Sequence, residues 1–126
     1  MGVGHRDLRV RREAMELAER VYALTKAFPR EEIYGLTSQL NRAAVSVPSN
    51  IAEGYGRGGR DYERFVAIAY GSLLEVETQL ELAQRIGLTS SNLAGDLLER
   101  TALIGRMLNA LLSSLRRRRT HEDLEP

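Results

Sequence analysis

The sequence predicts an all-α protein, an up-down-up-down four-helix bundle with a proline-kinked second helix. Three observations carry this. Apolar residues recur at steps of three and four along nearly the whole chain, which is the period of a helix with one buried face. The interruptions are short and hold proline or glycine. No stretch alternates apolar and polar residues as a half-buried strand would. Short links make sequence neighbours antiparallel, and four such helices close into a bundle. The 126 residues, 43% apolar and 28% charged, suit one domain over residues 1–126. Tryptophan is absent and aromatics are 6%, so the core should be aliphatic.

The first helix, about 6–27, rests on Leu8, Met15, Ala18, Val21, Tyr22, Thr25 and Phe28. Pro29 stops it, having no N–H to donate to the ladder. Glu31 and Glu32 then sit where carboxylates favour a helix start. The second helix, about 31–56, carries Ile33, Leu36, Leu40, Ala44, Val47, Ile51 and Tyr55. Its phase is unbroken across Pro48, so the helix should continue through it. The lost hydrogen bond and ring clash cost about 3 kcal/mol, and a kink is expected. Gly54, Gly56, Gly58 and Gly59 are expected to end it.

The third helix, about 60–87, opens near Asp61. It carries Phe65, Ala69, Ser72, Leu73, Val76, Leu80 and Ala83, and Gly87 ends it. Ser90 or Ser91 should cap the fourth helix, about 91–117. Its stripe is Leu93, Leu97, Ile104, Leu108, Leu111 and Leu115, and the arginine run closes it where cations suit the dipole. Residues 120–126 read as a frayed tail. Leu98, Leu103, Met107 and Leu112 widen the apolar face of this helix. Either the helix is deeply packed, or one flank is buried against another subunit.

Catalytic chemistry finds few groups to use. Cysteine is absent, which excludes disulfides and thiolate metal sites. The two histidines, His5 and His121, lie near the ends, and no Glu-x-x-His occurs, so a carboxylate-bridged metal centre is not expected. Gly54, Gly56 and Gly59 match G-x-G-x-x-G, but the dinucleotide fingerprint follows a strand and opens a helix. Glu53, Glu75 and Glu77 read as solvated or ion-paired helical glutamates. The expectation is therefore a non-enzymatic protein with no catalytic residue, metal or cofactor. No apolar run approaches the ~20 residues that span a bilayer, and the N-terminus lacks a signal-peptide apolar region. The sequence reads as cytoplasmic, with no membrane partner.

Two constellations remain. Arg6, Arg9, Arg11 and Arg12 open the chain, and Arg116, Arg117, Arg118 and Arg119 end the fourth helix. In an up-down-up-down bundle both lie at one end, where they would attract the phosphates of RNA or DNA. No aromatic residues are interleaved with them, so base-specific reading is not expected. Net charge is only +1, so any such field is local. The second is a polar stripe, Arg42, Ser46, Ser49 and Glu53, with Asn50 at its edge. It is either a solvent face or a close helix or subunit contact.

The segment "FPREEIYGLTSQLNRAAVSVPSNIAEGYGR", followed by "FVAIAYGSLLEVETQLELAQRIG", resembles the 23S rRNA intervening-sequence proteins. Ser46-Val47-Pro48-Ser49-Asn50-Ile51-Ala52-Glu53-Gly54 is the specific core of the likeness, with Gln39, Arg42, Ser72 and Glu75 among the matching positions. The resemblance spans roughly residues 8–115. It implies a four-helix bundle assembled as a homo-oligomeric ring, typically a pentamer, with these positions as family motif or subunit contacts. It implies no activity. A similar bundle serves as the accessory protein of a retroelement reverse transcriptase, an analogy of fold. The sequence thus frames two readings: a ring-forming, nucleic-acid-associated protein, or a scaffold for a protein partner.

Overall fold

A computed structural model describes residues 5–124, and the side chains of all of these except His5, Arg6, Leu8, Glu122 and Leu124. Four helices form the fold: α1 (His5–Thr25), α2 (Leu36–Arg57), α3 (Gly59–Arg85) and α4 (Ser91–Leu124). A single 3-10 turn at Arg30–Glu32 joins α1 to α2. Each helix packs along its length against two others, in the cyclic order α1–α2–α3–α4–α1, and the diagonal pair α1 and α3 meets through the hydrogen bond between Asp7 and Tyr62. Sequence neighbours run antiparallel. Thr25 Oγ1 meets Asn41 Oδ1 at 2.9 Å, Ser46 Oγ meets Ser72 Oγ at 2.8 Å, and Arg119 Nε meets Glu63 Oε2 at 2.7 Å.

One aliphatic core fills the centre. α1 contributes Val10, Ala14, Leu17 and Val21, and α2 contributes Leu40, Ala44, Val47 and Ile51. Val66, Leu73, Val76 and Leu80 enter from α3, and Ile104, Leu108 and Leu111 from α4. Burial of each valine, leucine and isoleucine here contributes roughly 1.5–3 kcal/mol.

In the stripe expected on α1, Ala18, Val21, Thr25 and Phe28 are buried, but two other members are not. Met15 and Tyr22 are exposed, and Leu17, Ala14 and Val10 take the core, because the buried phase runs through Val21, Leu24 and Phe28. Ile33, expected inside α2, is also exposed. α2 begins only at Leu36, because the 3-10 turn after Pro29 intervenes and Glu32 Oε1 accepts a hydrogen bond from the Leu36 amide at 3.2 Å.

α2 runs through Pro48 and includes Gly54 and Gly56. The turn is made instead by Gly58 and Gly59, at φ 70° and 57°. Gly54 serves packing, since a Cβ there would lie 2.8 Å from Phe65 Cβ. Gly87, at φ 82°, closes α3 as expected. The Leu88 amide bonds to the Ala83 carbonyl at 2.8 Å and the Gly87 amide to that of Gln84 at 3.1 Å, the paired bonds of a Schellman motif. Ser90 caps α4 by accepting from the Leu93 amide at 3.2 Å.

α4 does not stop near residue 117. It runs on to Leu124, beyond the expected start of the tail at 120, and Arg60 holds Asp123 by an ion pair at 3.2 Å. Residues 125–126 lie outside the described residues. Three of the four additional apolar residues of α4 serve its own core: Leu112 is buried there, and Leu98 and Met107 pack against it, whereas Leu103 is half-buried outside it. No helix is long and apolar enough to cross a membrane among the described residues.

Candidate functional site

Three surfaces are candidates, and each follows from helix phase. The first is the end of the bundle where α1 and α3 begin and α2 and α4 finish. The Tyr62 hydroxyl donates to Asp7 Oδ1 there, Arg116 and Arg119 reach Glu63, and Arg60 reaches Asp123. Eleven of the chain's seventeen arginines fall in the segments that meet at this end.

The structure sorts these arginines. Arg116 and Arg119 both bind the half-buried Glu63, at 3.3 and 2.7 Å. The hydrogen bond from Arg119 holds the Glu63 carboxyl below the usual carboxylate range, against the opposing effect of burial. Arg57 bridges Glu53 and Asp61 and lies over the Phe65 ring, 5.1 Å from its centre, and Arg64 stacks there too. Arg9, Arg11, Arg12, Arg117 and Arg118 are exposed and have no ion pair among the described residues. The Arg6 side chain lies outside the described set.

Arg118 stands five full turns from Arg100, so it shares that residue's side of α4. Arg100 reaches Glu13 and Glu16 on α1, at 3.7 and 3.3 Å. Arg9 lies one turn before Glu13, which puts Arg9 and Arg118 on the same α1–α4 seam. Half of the predicted C-terminal cluster is therefore engaged internally, and the free charge shifts to Arg117, Arg118 and the α1 arginines. The run of consecutive arginines in the sequence carried no sign of the Glu63 clamp, because that acid lies more than fifty residues away.

The second surface is an apolar groove of about 540 Å³ between α1 and α2, lined by Met15, Ala18, Tyr22, Val45, Pro48 and Ala52, with Arg11, Glu19 and Ser49 at its edges. Met15, Tyr22 and Val45 are 40–49% exposed. A second apolar groove, of about 420 Å³, lies between the end of α1 and the start of α4, lined by Ala23, Leu24, Ala27, Leu88, Leu93 and Leu97. The spacing points to α4 for the spare apolar surface. The α1–α2 groove is not legible in it, because Met15 and Tyr22 fit an apolar stripe on α1 as well as the buried residues do.

The third surface is a polar trough of about 340 Å³ between α2 and α3, lined by Gln39, Arg42, Ala43, Ser46, Ser72, Glu75 and Gln79. The polar stripe read on α2 is thus divided three ways. Arg42 and Ser46 line the trough, Ser49 belongs to the apolar groove, and Glu53 pairs with Arg57 at 3.1 Å. Asn50 Nδ2 donates to the Ser46 carbonyl and hydroxyl, at 2.8 and 2.9 Å. Gly54 is buried against α3. No group of three or more potential metal-ligating side chains occurs among the described residues.

Comparison with known proteins agrees with this architecture. A crystal structure of a protein of unknown function from the S23 ribosomal protein family of Bacteroides thetaiotaomicron superimposes with a TM-score of 0.73. It is 20% identical, over 82% of this chain and 97% of that one, a likeness of fold. No curated protein matches. The family model of the 23S rRNA-intervening sequence protein matches residues 6–110. The stretch covers α1, α2, α3 and most of α4, the Ser46–Gly54 motif included, and the chain belongs to the 23S rRNA-intervening sequence protein family.

Proposed function

We propose that this protein is a non-enzymatic bundle that self-assembles into a ring and presents its arginine-rich end to the phosphate backbone of RNA or another nucleic acid. The observation that carries the reading is the set Arg9, Arg11, Arg12, Arg117 and Arg118. These are exposed cations without ion pairs among the described residues, gathered at one end of a molecule whose net charge is +1. Cations so placed act on a polyanion at short range, and a few phosphate contacts give binding that falls steeply with salt.

Two different apolar surfaces on one molecule, the α1–α2 groove and the α1–α4 groove, support assembly. A contact between unlike surfaces is head-to-tail, and repeated with the right rotation it closes a ring. A ring would repeat the basic end about its axis and multiply weak phosphate contacts. The resemblance of the sequence leads us to expect a pentamer, and the family's name makes ribosomal RNA the first polymer to try.

The test is binding to ribosomal RNA fragments and to duplex DNA across a salt series, with the mass of the assembly measured in the same buffers. Log-linear loss of binding with salt, abolished by glutamine at Arg9, Arg12, Arg117 and Arg118, is the expected result. An intact assembly that ignores RNA and DNA at low salt would overturn it. That outcome would favour a scaffold whose apolar groove seats another protein, the reading supported by exposed Met15, Tyr22 and Val45.

A further inference from the structure

The α2–α3 trough is built differently from the other surfaces, and the proposed function does not use it. Its polar residues face each other in register. Ser46 touches Ser72 at 2.8 Å. One turn toward the start of α2 stands Arg42, and one turn toward the end of α3 stands Glu75. A further turn brings Gln39 and Gln79. The trough is therefore a ladder of three facing pairs, Ser–Ser, Arg–Glu and Gln–Gln, all lining one cavity of about 340 Å³.

Only the first pair is closed. Arg42 and Glu75 form no ion pair with each other or with another described residue, although both line the same cavity. Gln79 Oε1 is shielded from solvent without a hydrogen-bond partner. A buried acceptor left in this state is destabilising unless something donates to it. The serine pair also holds an unspent donor. Asn50 donates to Ser46 Oγ, and one hydroxyl proton joins Ser46 to Ser72. The other hydroxyl proton has no acceptor among the described residues.

These groups define what can enter. Arg42 and Gln39 of α2, with the spare hydroxyl proton of the serine pair, supply donors suited to a carboxylate. Glu75, on the opposite wall, repels a simple anion and accepts from an ammonium group. Arg42 in turn repels a simple cation. A dipolar ion answers both. The ladder spans seven residues of α2, roughly 10 Å at helical rise, and its volume lies near the lower end of small-molecule sites, about 300–1,000 Å³. Those dimensions suit one small molecule better than a polymer.

We propose that the α2–α3 trough is a binding site for a free α-amino acid. The ligand's carboxylate lies against Arg42 and the spare serine hydroxyl, and its ammonium group lies against Glu75. Its side chain extends toward Gln39 and Gln79, whose amides favour a polar amide or carboxyl side chain over an apolar one.

The experiment is titration of the assembled full-length protein with each of the twenty L-amino acids, followed by calorimetry and by amide and side-chain NMR shifts. Saturable binding of a polar amino acid is expected, with shifts at Gln39, Ser72 and Gln79. Arg42→Gln and Glu75→Gln should each weaken it at least tenfold. Both residues are exposed, so the variants should keep the parent's helical spectrum and assembly mass. Acetate should bind far more weakly than the amino acid. The proposal fails if no amino acid binds at millimolar concentration. It fails equally if acetate binds as well as an amino acid, or if Glu75→Gln leaves the affinity unchanged. Trough resonances that move on dilution through the assembly transition, and not with amino acids, would show a second copy filling the trough and overturn it. RNA binding by the arginine end is independent of every one of these outcomes.

Discussion

A side chain placed on Gly54 would bring its Cβ to 2.8 Å from Phe65 Cβ and 3.2 Å from the Tyr62 carbonyl. α2 and α3 can approach this closely only because position 54 has no side chain. The contact sits beside the turn at Gly58 and Gly59, so it sets the angle at which α3 leaves the turn. It also places Tyr62 under the start of α1, where its hydroxyl meets Asp7. Gly54→Ala gains helix propensity of about 1 kcal/mol. It also forces backbone and a buried ring apart, which costs about 1–3 kcal/mol or more. We expect net destabilisation of about 1–2 kcal/mol, read as a lower urea midpoint with an unchanged slope. A variant as stable as the parent would show that the helices shift without penalty.

Tyr62 provides a second test. Its ring is buried and its hydroxyl donates to Asp7, tying α3 to the first turn of α1. Burial, reinforced by the neighbouring Asp7 carboxylate, pushes the phenol above its ordinary value. A phenol whose folded pKa is raised contributes stability that is complete below the unfolded value of about 10. That contribution is lost as pH rises through the folded value. Ultraviolet titration should therefore show this tyrosine ionising only with alkaline unfolding. Tyr62→Phe should destabilise by about 1–2 kcal/mol, since the Asp7 carboxylate loses its donor. Ionisation of all five tyrosines near pH 10 in the folded protein would contradict the assignment.

Glu63 restrains the arginine end. Its carboxylate occupies Arg116 and Arg119 together, so Glu63→Gln should release two cations to solvent. The slope of log binding against log salt should steepen by about 1–2, in proportion to the phosphates gained. Acid should act in the same direction. The carboxyl is held below its ordinary value by Arg119, so its contribution to stability is present above about pH 4.3. It is lost as pH falls through the folded value. Acid unfolding of Glu63→Gln should therefore show a shallower loss of stability below that pH. Identical acid profiles and salt slopes for parent and variant would remove Glu63 from both roles.

The fold was legible in the sequence where periodicity and punctuation agreed. Gly87 and Ser90 mark a helix end and a helix start in one short link, and both do what their chemistry suggests. The phase of α1 was not legible, because Met15 and Tyr22 fit an apolar stripe as well as Leu17 and Val10 do. Only the neighbouring helices decide which face is inward. The role of Gly54 was hidden for a related reason. A glycine near a helix end reads as a terminator, and close packing against another helix is a property of two segments at once. The same limit holds for the sites. The arginine clusters stood out as runs, but the Glu63 clamp and the facing pairs of the trough join α3 to its neighbours, and no spacing within one helix reveals them.

Pro48 separates the stability of the bundle from that of the assembly. It is buried inside α2 and forms part of the wall of the α1–α2 groove with Met15, Tyr22 and Val45. Pro48→Ala restores a donor for the Ala44 carbonyl and removes the ring clash, a gain of about 3 kcal/mol in an ordinary helix interior. It also removes buried ring methylenes, worth about 0.8 kcal/mol each. The isolated bundle should become more stable by about 1 kcal/mol, measured by urea unfolding at high dilution. The groove would lose part of its wall, and the contact we propose between copies would weaken. Sedimentation across a concentration series should then show the variant dissociating at higher protein concentration than the parent. If the variant is both more stable and equally associated, the proline has no part in the contact, and the groove must be seated by something other than a second copy.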